Sequence, residues 1–389
     1  KKIDDAFERC RSLRKICLSN KIEDINGGAF SEGACKEFSV EDGSESYKSI
    51  DGCLYKIVDS EKDNLKLMYA ANTTDFKYAT PENVTEADMC AFRGRDNIKE
   101  IDIGGEIEEL SWYSLINCSN LETLKLSSKL KSFDRDMTAY SFDNDLTNLK
   151  NIIVDEGNTE YESYNNELFE KGKKNLILLP YGSDSIVIPK ETEYICGGIA
   201  KNKFKNIKVE DGNKYFSVNS NVLYNKDITE IIIFPSYKTT YTLPATLKEF
   251  PSMTYRYTED YLDIEGEAWI TRADENLECV KVAKGNEVYK AVDGVLYLKN
   301  TKQLEYYPPA KKGSYKIIEG TKYVNNAAFI YTKYLTSLTV PDSVKSIIIS
   351  PKDSESLKEI TVPVKCEVIK MTKREGSGVK VYRSLVLKC

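Results

Sequence analysis

Carboxylates are the residues in this sequence best able to do chemistry. The chain has 61 Asp and Glu residues among 389, and two carboxyl groups roughly 5–9 Å apart can hydrolyse a glycosidic bond. With so many acids some pair reaches that separation by chance, so their number does not indicate a site. Histidine is absent, which excludes Ser–His–Asp triads, histidine general bases and histidine metal ligands. A carboxylate-dependent carbohydrate hydrolase is the enzyme alternative, and no catalytic residue can be assigned to it.

The cysteines could pair, bind metal or fill a core. They form no C-x-x-C pair and no zinc-ligand spacing, and they are too sparse in a chain of this length for a disulfide scaffold. Several fall at apolar repeat positions, where a free cysteine packs as a small hydrophobic residue. We expect buried free thiols, with a disulfide framework as the alternative. The ten are Cys10, Cys17, Cys35, Cys53, Cys90, Cys118, Cys196, Cys279, Cys366 and Cys389.

No metal or cofactor site is predicted. The acidic run at 143–145 (Asp-Asn-Asp) lacks the ligand spacing of an EF-hand loop. The pairs Gly104-Gly105 and Gly197-Gly198 lack the rest of any nucleotide-binding motif.

The net charge of −6 and the pI near 5.3 argue against a nucleic-acid binder, which needs a basic face to displace counterions from phosphate. They disfavour a membrane-surface role for the same reason. No apolar run approaches the roughly 18 residues that a spanning helix needs. No signal peptide precedes Lys1, and because a removed one would look the same, we expect the mature part, or a fragment, of a longer secreted protein.

A short pattern, apolar-x-x-apolar-x-apolar, recurs along the chain. Its last two apolar residues are two apart, so on a strand both point to one face. Coils that cannot bury this edge alone bury it by stacking, and the steps of 22, 23 and 28 residues between neighbouring units fall in or near the leucine-rich-repeat range. The nine units are Leu13/Ile16/Leu18, Cys35/Phe38/Val40, Ile98/Ile101/Ile103, Leu121/Leu124/Leu126, Leu149/Ile152/Val154, Phe204/Ile207/Val209, Leu277/Val280/Val282, Leu335/Leu338/Val340 and Leu357/Ile360/Val362.

Further apolar residues complete each coil. A second pair, such as Ile107 and Leu110, follows several units and predicts the return side. Small-plus-aromatic endings, such as Cys90-Ala91-Phe92, predict the filling of the convex edge.

A longer pattern interrupts the coils four times, near 40–70, 154–182, 209–237 and 282–310. Each copy runs from a valine and a glycine through a tyrosine to a Leu-Tyr or Leu-Phe pair, as from Val282 to Tyr297. Gly-Asn and Asp-Gly dipeptides supply the positive φ that tight turns need. We interpret each copy as a coil with an inserted β-hairpin.

These residues resemble the BspA-like leucine-rich-repeat family of bacterial surface proteins. The match is clearest from Cys118 to Leu126, from Leu335 to Val344, and in the hairpin from Asn286 to Tyr297. The resemblance implies a right-handed repeat solenoid that is secreted or surface-anchored and binds host matrix, host cells or other bacteria. It carries over no catalytic, cofactor or metal residue.

The predicted fold is a single leucine-rich-repeat solenoid over residues 1–389, mostly β with short turns and helices. Its coils form a long parallel sheet with inserted hairpins, and one irregular coil lies near 225–276, where the repeat register is lost. Residues between the apolar strand positions should line the exposed sheet face. They are Lys15, Cys17, Glu37, Ser39, Glu100, Asp102, Thr123, Lys125, Asn151, Ile153, Asn206, Lys208, Cys279, Lys281, Ser337, Thr339, Glu359 and Thr361.

That face lacks the aromatic and arginine anchors of a strong binding hot spot, so a solvated sheet is the alternative to a concave binding site. Tyrosine is abundant, with 26 residues. The cluster Tyr255, Tyr257 and Tyr261, and the pair Tyr306-Tyr307, could supply aromatic contact area as binding surfaces do. Many tyrosines should instead pack as strand residues.

Three functions follow. The first is an extracellular adhesion-type module that binds protein or glycan ligands on host or neighbouring cells, with the site at Tyr255, Tyr257 and Tyr261 and no cofactor. The second is a structural spacer that displays another domain. The third is the hydrolase. The ligand, anchoring mode, oligomeric state and reactivity of the thiols on the exposed face stay open.

Overall fold

The structure is a computed structural model. It describes residues 1–33, 35–73, 76–134, 146–196, 199, 204–235, 237–250, 254–257, 262–265, 275–329, 332–349, 356–370 and 380–384. These residues form short strands joined by turns, with a 3-10 helix η1 at Trp112–Leu115.

The strands up to residue 195 are β1 (Lys2–Ile3), β2 (Lys15–Leu18), β3 (Asp24–Ile25), β4 (Glu37–Val40), β5 (Tyr47–Ile50), β6 (Cys53–Asp59), β7 (Asn64–Tyr69), β8 (Phe76–Ala79), β9 (Val84–Ala87), β10 (Ile98–Ile103), β11 (Glu109–Ser111), β12 (Thr123–Leu126), β13 (Ser132–Asp134), β14 (Asn151–Val154), β15 (Tyr161–Tyr164), β16 (Glu167–Glu170), β17 (Asn175–Leu178), β18 (Ser185–Ile188) and β19 (Tyr194–Ile195).

The strands that follow are β20 (Asn206–Val209), β21 (Phe216–Asn219), β22 (Val222–Asn225), β23 (Ile231–Ile233), β24 (Thr240–Leu243), β25 (Thr254–Tyr257), β26 (Leu262–Glu265), β27 (Cys279–Val282), β28 (Tyr289–Val292), β29 (Val295–Leu298), β30 (Gln303–Tyr306), β31 (Gly313–Lys316), β32 (Tyr323–Val324), β33 (Leu335–Thr339), β34 (Ser346–Ile349), β35 (Glu359–Pro363), β36 (Glu367–Lys370) and β37 (Lys380–Ser384).

The chain divides into two compact units, residues 1–183 with 191–199, and residues 184–190 with 200–389. Aromatic and aliphatic side chains from successive coils fill the core of each. One core cluster of the first unit holds Phe30, Phe38 and Tyr69. The second unit has a cluster around Tyr241 and another around Leu338. The prediction of a single solenoid over the whole chain stays a prediction.

The predicted short units coincide with strands that pair in parallel, which we call the face strands. In the first unit Ile101 and Ile103 of β10 lie in register with Leu124 and Leu126 of β12, and all four are buried. This stacking of apolar residues between neighbouring coils confirms the repeat predicted from the spacing. The face strands are β2, β4, β8, β10, β12, β14, β18, β20, β24, β27, β31, β33, β35 and β37.

Face strands β8, β18, β24, β31 and β37 were missed by the short pattern. The first four each follow an insert and lack the leading apolar residue of the pattern. Tyrosine also takes the first inward position in three of them, at Tyr78, Tyr241 and Tyr315, all buried.

The four predicted hairpins are present, and the structure extends each by a third antiparallel strand. The inserts are β5–β6–β7, β15–β16–β17, β21–β22–β23 and β28–β29–β30. The third strand then pairs in parallel with the next return strand in three of them, as β30 does with β32. The insert is thus hydrogen-bonded into the coil that follows it and is part of the stack.

The parallel ladder of face strands is interrupted within each unit. In the first unit it breaks between β4 and β8, and in the second between β20 and β24 and between β27 and β31. Every break follows a face strand that precedes an insert. The turn of the insert takes up the hydrogen bonds of that strand: Phe38 donates its N–H to the Gly52 carbonyl at 2.9 Å, and Val280 donates to the Gly294 carbonyl at 2.9 Å.

The asparagine after the glycine in three inserts is a buried link between coils. Asn286, 1% exposed, donates both amide hydrogens to the carbonyls of Pro244 and Leu247, each at 2.9 Å. Its Oδ1 accepts the N–H groups of Val288 and Tyr289 at 3.0 and 2.7 Å. The carboxamide therefore uses four hydrogen bonds to fix the start of the insert on the preceding coil. Asn158 makes the same set of contacts.

Tyrosine pairs join three inserts to the face strand that follows. The hydroxyl oxygens of Tyr297 and Tyr315 lie 2.6 Å apart in the core. Those of Tyr224 and Tyr241 lie 2.7 Å apart, and a third pair, 55 with 78, lies at 3.5 Å. In the second insert the equivalent positions hold Phe169 and an isoleucine at 186, so both hydroxyls are missing together. At these paired positions the two hydroxyls are therefore present or absent together, which agrees with the cost of burying an unpaired hydroxyl.

Arg95 is fully buried and has hydrogen-bond partners only from the backbone among the described contacts. Its guanidinium donates to the carbonyls of Ala70 at 2.8 Å and Gly33 at 2.9 Å, with the Phe30 carbonyl at 3.4–3.5 Å. It also lies 5.6 Å from the centre of the Tyr69 ring. Burial lowers its pKa. The side chain therefore links its own segment to two others of the first unit, the turn at 30–33 and Ala70 directly after β7, through their carbonyl groups.

No disulfide joins the nine described cysteines to one another, and those at repeat-core positions such as Cys35 are buried, as predicted; Cys389 lies outside the described residues. Cys17 is exposed and Cys279 half-buried. Burial raises the pKa of Cys53 to about 11.

The irregular coil predicted near 225–276 is described in part. The described strands in this range include β24, which pairs in parallel with β27, and the antiparallel pair β25–β26. Residues 236, 251–253, 258–261 and 266–274 lie outside the described set.

Candidate interaction surface

The predicted exposed face is present on the face strands. In the first unit its outward residues are alternately basic and acidic along the ladder from β8 to β12. The Glu100 carboxylate lies 3.1 Å from the Lys77 ammonium and 2.5 Å from that of Lys125. Lys125 also lies 3.7 Å from Asp102. Lys77 was not predicted as a residue of the exposed face, because the short pattern missed its strand, β8.

Ion pairs with lysines lower the pKa values of two glutamates on and beside this face. The ammonium groups of Lys125 and Lys77 lower the pKa of Glu100, and Lys150 with Lys99 lowers that of Glu122. Carboxyl groups with lowered pKa values are ionised at neutral pH, so they lack the proton that a glycosidase general acid must donate. They form a solvated face of paired charges.

The face offers little apolar area to a partner. Ile153, 46% exposed, and Val187, 36% exposed, are the large apolar residues that the structure describes on it. This agrees with the predicted shortage of hot-spot anchors.

A second surface lies where the face strands of the second unit begin, and we call it the strand-start edge. Backbone hydrogen bonds place its segments side by side. Glu278 donates to the Thr239 carbonyl at 2.8 Å, and Ala310 donates to the Leu277 carbonyl at 2.9 Å. The next coil joins when Lys333 donates to the Pro309 carbonyl at 3.0 Å. The edge comprises residues 237–239, 275–278, 309–312 and 333–334.

Two exposed tyrosines mark this edge. Tyr237 is 47% exposed and Tyr334 is 46% exposed. The Lys238 ammonium lies 5.8 Å from the centre of the Tyr237 ring, and that of Lys312 lies 5.7 Å from the Tyr334 ring, both within cation–π range. At a strand spacing of about 4.8 Å, three coil steps separate the rings by roughly 14 Å.

Salt bridges fix the lysines between the two rings. Lys312 lies 4.0 Å from Glu278, and Lys333 lies 3.1 Å from Glu275. The rings of Tyr237 and Tyr334 thus stand on a backbone-paired scaffold with charged neighbours whose positions are set. Sequence reasoning missed both, although the aromatic residue beside lysine at the start of a repeat strand is a visible signal.

The predicted tyrosine cluster is only partly described. Tyr255 and Tyr257 lie in strand β25, where their backbones pair with Ile264 and Leu262. Tyr261 lies outside the described residues, so the cluster stays a prediction.

The alternative pair Tyr306-Tyr307 is unsuitable for binding. Tyr306 is 7% exposed and Tyr307 is 1% exposed. The Tyr307 ring packs 5.2 Å from the rings of Tyr315 and Phe329. Both tyrosines are core residues: Tyr306 ends β30, which lies between β29 and β32 in its sheet, and Tyr307 follows it.

In the described part of the chain, no group of three or more His, Cys, Asp or Glu side chains could hold a metal ion. The acidic run at 143–145 lies outside that part. No described helix is long and apolar enough to cross a membrane.

Six copies of the BspA type leucine rich repeat region match the chain, at residues 2–59, 69–176 and 311–373, which is more than half of its length. The chain belongs to this family. Among the described residues of the unmatched stretch at 177–310, β18 pairs in parallel with β20 and β24 with β27, and the third and fourth inserts are present.

Three solved structures are similar at low sequence identity. A leucine-rich repeat protein from Eubacterium ventriosum is 16% identical, with 82% of this chain and 66% of that chain covered and a TM-score of 0.27. The pneumococcal vaccine antigen PcpA is 15% identical, with 88% of each chain covered and a TM-score of 0.29. A leucine rich cell surface protein from Faecalibacterium prausnitzii is 13% identical, with 86% and 97% covered and a TM-score of 0.32. No curated protein sequence matches significantly.

Proposed function

We propose that this BspA type chain is an extracellular, surface-displayed protein-binding module of the adhesion type, without catalytic activity. The observation that carries the proposal is the strand-start edge, where two exposed tyrosines stand on a hydrogen-bonded stack of coils. Tyrosine adds contact area at low entropic cost and is enriched in binding hot spots. Because the scaffold is already ordered, binding need not order the backbone that bears these rings.

Charge supports a protein or glycan ligand with acidic groups at this edge. Lys312 and Lys333 are paired with Glu278 and Glu275, so Lys238, whose ammonium lies 5.8 Å from the Tyr237 ring, supplies the positive charge. A ligand carboxylate can approach this ammonium group while an apolar part of the ligand contacts the exposed tyrosine rings. Membership in the BspA type family supports surface display, since the resemblance implies secreted or anchored proteins.

The cluster at Tyr255, Tyr257 and Tyr261 is the second proposed location. Its strand pair β25–β26 is joined to the coils through segments outside the described residues, so the two locations are best separated by mutation. Enzymatic hydrolysis is not proposed, because the exposed carboxylates of the first-unit face with resolved pKa shifts are shifted towards ionisation by lysine partners.

The test is capture of partners from extracellular-matrix, mucin and host-surface extracts on the immobilised chain, followed by mass spectrometry. Three variants are then compared: Tyr237→Ala/Tyr334→Ala, the triple alanine variant of the 255–261 cluster, and Tyr323→Ala. Tyr323 is the matched control, since it is 60% exposed and lies on return strand β32 of the same unit.

We expect a reproducible partner whose binding is lost in the edge variant and kept in the control. Loss only in the cluster variant would move the site to 255–261. Absence of any partner above background would contradict the binding function and favour the structural spacer.

A further inference from the structure

One core position that is apolar in three of the inserts is occupied by a glutamate in the second insert. The first residue of the second insert strand follows a turn with positive φ in every copy and points into the core. In three copies it is Cys53, Val222 or Val295, each at most 1% exposed. In the second insert it is Glu167, which is only 7% exposed. The backbone frame is shared, so the carboxyl group replaces an apolar side chain in an apolar site.

The Glu167 carboxyl lacks a partner that would compensate for this burial. Its Oε2 is out of contact with solvent and accepts or donates no hydrogen bond. An ionised carboxylate in such a site is strongly disfavoured. Burial alone raises its pKa to about 7.

The elements packed against Glu167 bring no opposite charge to it. Strands β14 and β17 contain no charged residue. On β15, Glu162 accepts the Lys173 backbone N–H, and on β16, Glu170 accepts from the Asn175 amide. The Lys173 ammonium lies 4.4 Å from the centre of the Tyr164 ring, and no ion pair joins it to Glu167. A neutral carboxyl is therefore the form that the closed insert accommodates.

We propose that Glu167 makes the second insert, residues 161–178, an acid-stabilised element that opens more readily when the carboxyl ionises. The other three inserts lack this group and serve as internal references. The device is independent of the proposed function, since Glu167 lies in the first unit and the strand-start edge in the second.

The sign follows from proton linkage. The closed insert binds the Glu167 proton more tightly than the open one, whose carboxyl titrates near its ordinary value of about 4.3. The contribution of the Glu167 carboxyl to the stability of the closed insert is fully present below that pH and is lost as the pH rises to about 7. Above about 7 both forms are ionised and no further loss occurs. With these two values the opening equilibrium rises about 70-fold or somewhat more between pH 5 and pH 8.

The experiment is amide hydrogen exchange of the full chain at pH 5, 6, 7 and 8, corrected for the intrinsic exchange rate. We expect the opening constant of amides in β15–β17 to rise about 70-fold or more across this range, and that of β21–β23 to stay within about threefold. Glu167→Val should abolish the dependence of the second insert, and Glu167→Gln should abolish it while keeping the side-chain size. Val222→Glu should transfer the dependence to the third insert.

An equal pH response in both inserts of the wild type, or a response that survives in Glu167→Gln, would overturn the proposal. Should Val222→Glu fail to fold, the two Glu167 variants still decide. Binding of partners at the strand-start edge is unaffected by either outcome, so a failure here is distinct from a failure of the proposed function.

Discussion

Replacing Asn286 by alanine tests the idea that buried asparagines hold the inserts on the coils. The substitution removes four hydrogen bonds and leaves two carbonyls and two N–H groups without their partner. Each lost neutral hydrogen bond costs about 1 kcal/mol net, and each buried group left unpaired costs about 1–3 kcal/mol. Water can enter the vacated space and the terms are not additive. We therefore expect a loss of about 3–5 kcal/mol in the free energy of unfolding.

Asn286→Asp separates hydrogen-bond donation from shape. Aspartate keeps the acceptor for Val288 and Tyr289 but points a carboxylate at two carbonyl oxygens, so its pKa in the folded state should be raised. Stability should then be highest in acid, where the protonated carboxyl donates one hydrogen bond, and fall as the pH rises above the ordinary value of about 3.9. At pH 7.5 we expect Asn286→Asp to be at least as destabilising as Asn286→Ala.

The assay is urea unfolding followed by circular dichroism, combined with hydrogen exchange of strands β28–β30. The second measurement is needed because repeat arrays can unfold in parts. The control is Asn219→Ala at an exposed position of the third insert, which should change stability by less than about 0.5 kcal/mol. If Asn286→Ala costs no more than this control, the asparagine is a turn residue only and the reasoning is refuted.

Other substitutions test further contacts. Tyr297→Phe should cost about 1–3 kcal/mol by leaving the Tyr315 hydroxyl unpaired, and the double change of both tyrosines to Phe should cost less than the sum of the two single changes in a double-mutant cycle. Gly94→Ala should cost about 2–4 kcal/mol in thermal unfolding, because its φ is +73° and the added Cβ would lie 2.4 Å from a backbone Cα. In native thiol labelling read by mass spectrometry, Cys17 should react, whereas Cys53, with its pKa raised to about 11, should react only after unfolding. Strictly additive costs of the two single tyrosine changes, an unchanged melting temperature of Gly94→Ala, or rapid native labelling of Cys53 would contradict these expectations.

The spacing of apolar residues carried enough information to predict the coils and the inserts. The period-2 pair at Leu124 and Leu126 points to one face of any strand, so the buried side follows from geometry. The strand at Tyr78 was missed because a tyrosine stands where the pattern asks for an aliphatic residue and the leading anchor is lacking. Tyr78 instead contacts Tyr55 of insert strand β6. A local sequence pattern does not contain such a contact between residues 23 positions apart.

Polar residues were harder to interpret than apolar ones. The asparagine at Asn286 was taken as a turn signal, because Gly-Asn favours a turn whether or not the carboxamide is buried. Its recurrence directly after a glycine and three residues before an aromatic residue in three inserts was the available clue to a structural role. Nothing in the sequence distinguishes Arg95 from a surface arginine. Its burial depends on carbonyl groups from two segments, at 30–33 and at 70, that meet it only in the folded chain.

The candidate site shows the same limit. The exposed sheet face could be predicted residue by residue, since every second position of a face strand points outward. The strand-start edge could not, because Tyr237 and Tyr334 are 97 positions apart in the sequence and become neighbours only through the stacking of three intervening coil steps.

The central claim is that the tyrosines of the strand-start edge bind a partner. It is tested most directly by comparing the dissociation constants of the wild-type chain and Tyr237→Ala/Tyr334→Ala for immobilised mucin and extracellular-matrix extract, with Tyr323→Ala alongside. The account predicts at least about 30-fold weaker binding for the edge variant, the equivalent of about 2 kcal/mol, and unchanged binding for the control. Equal affinity of all three chains would contradict it.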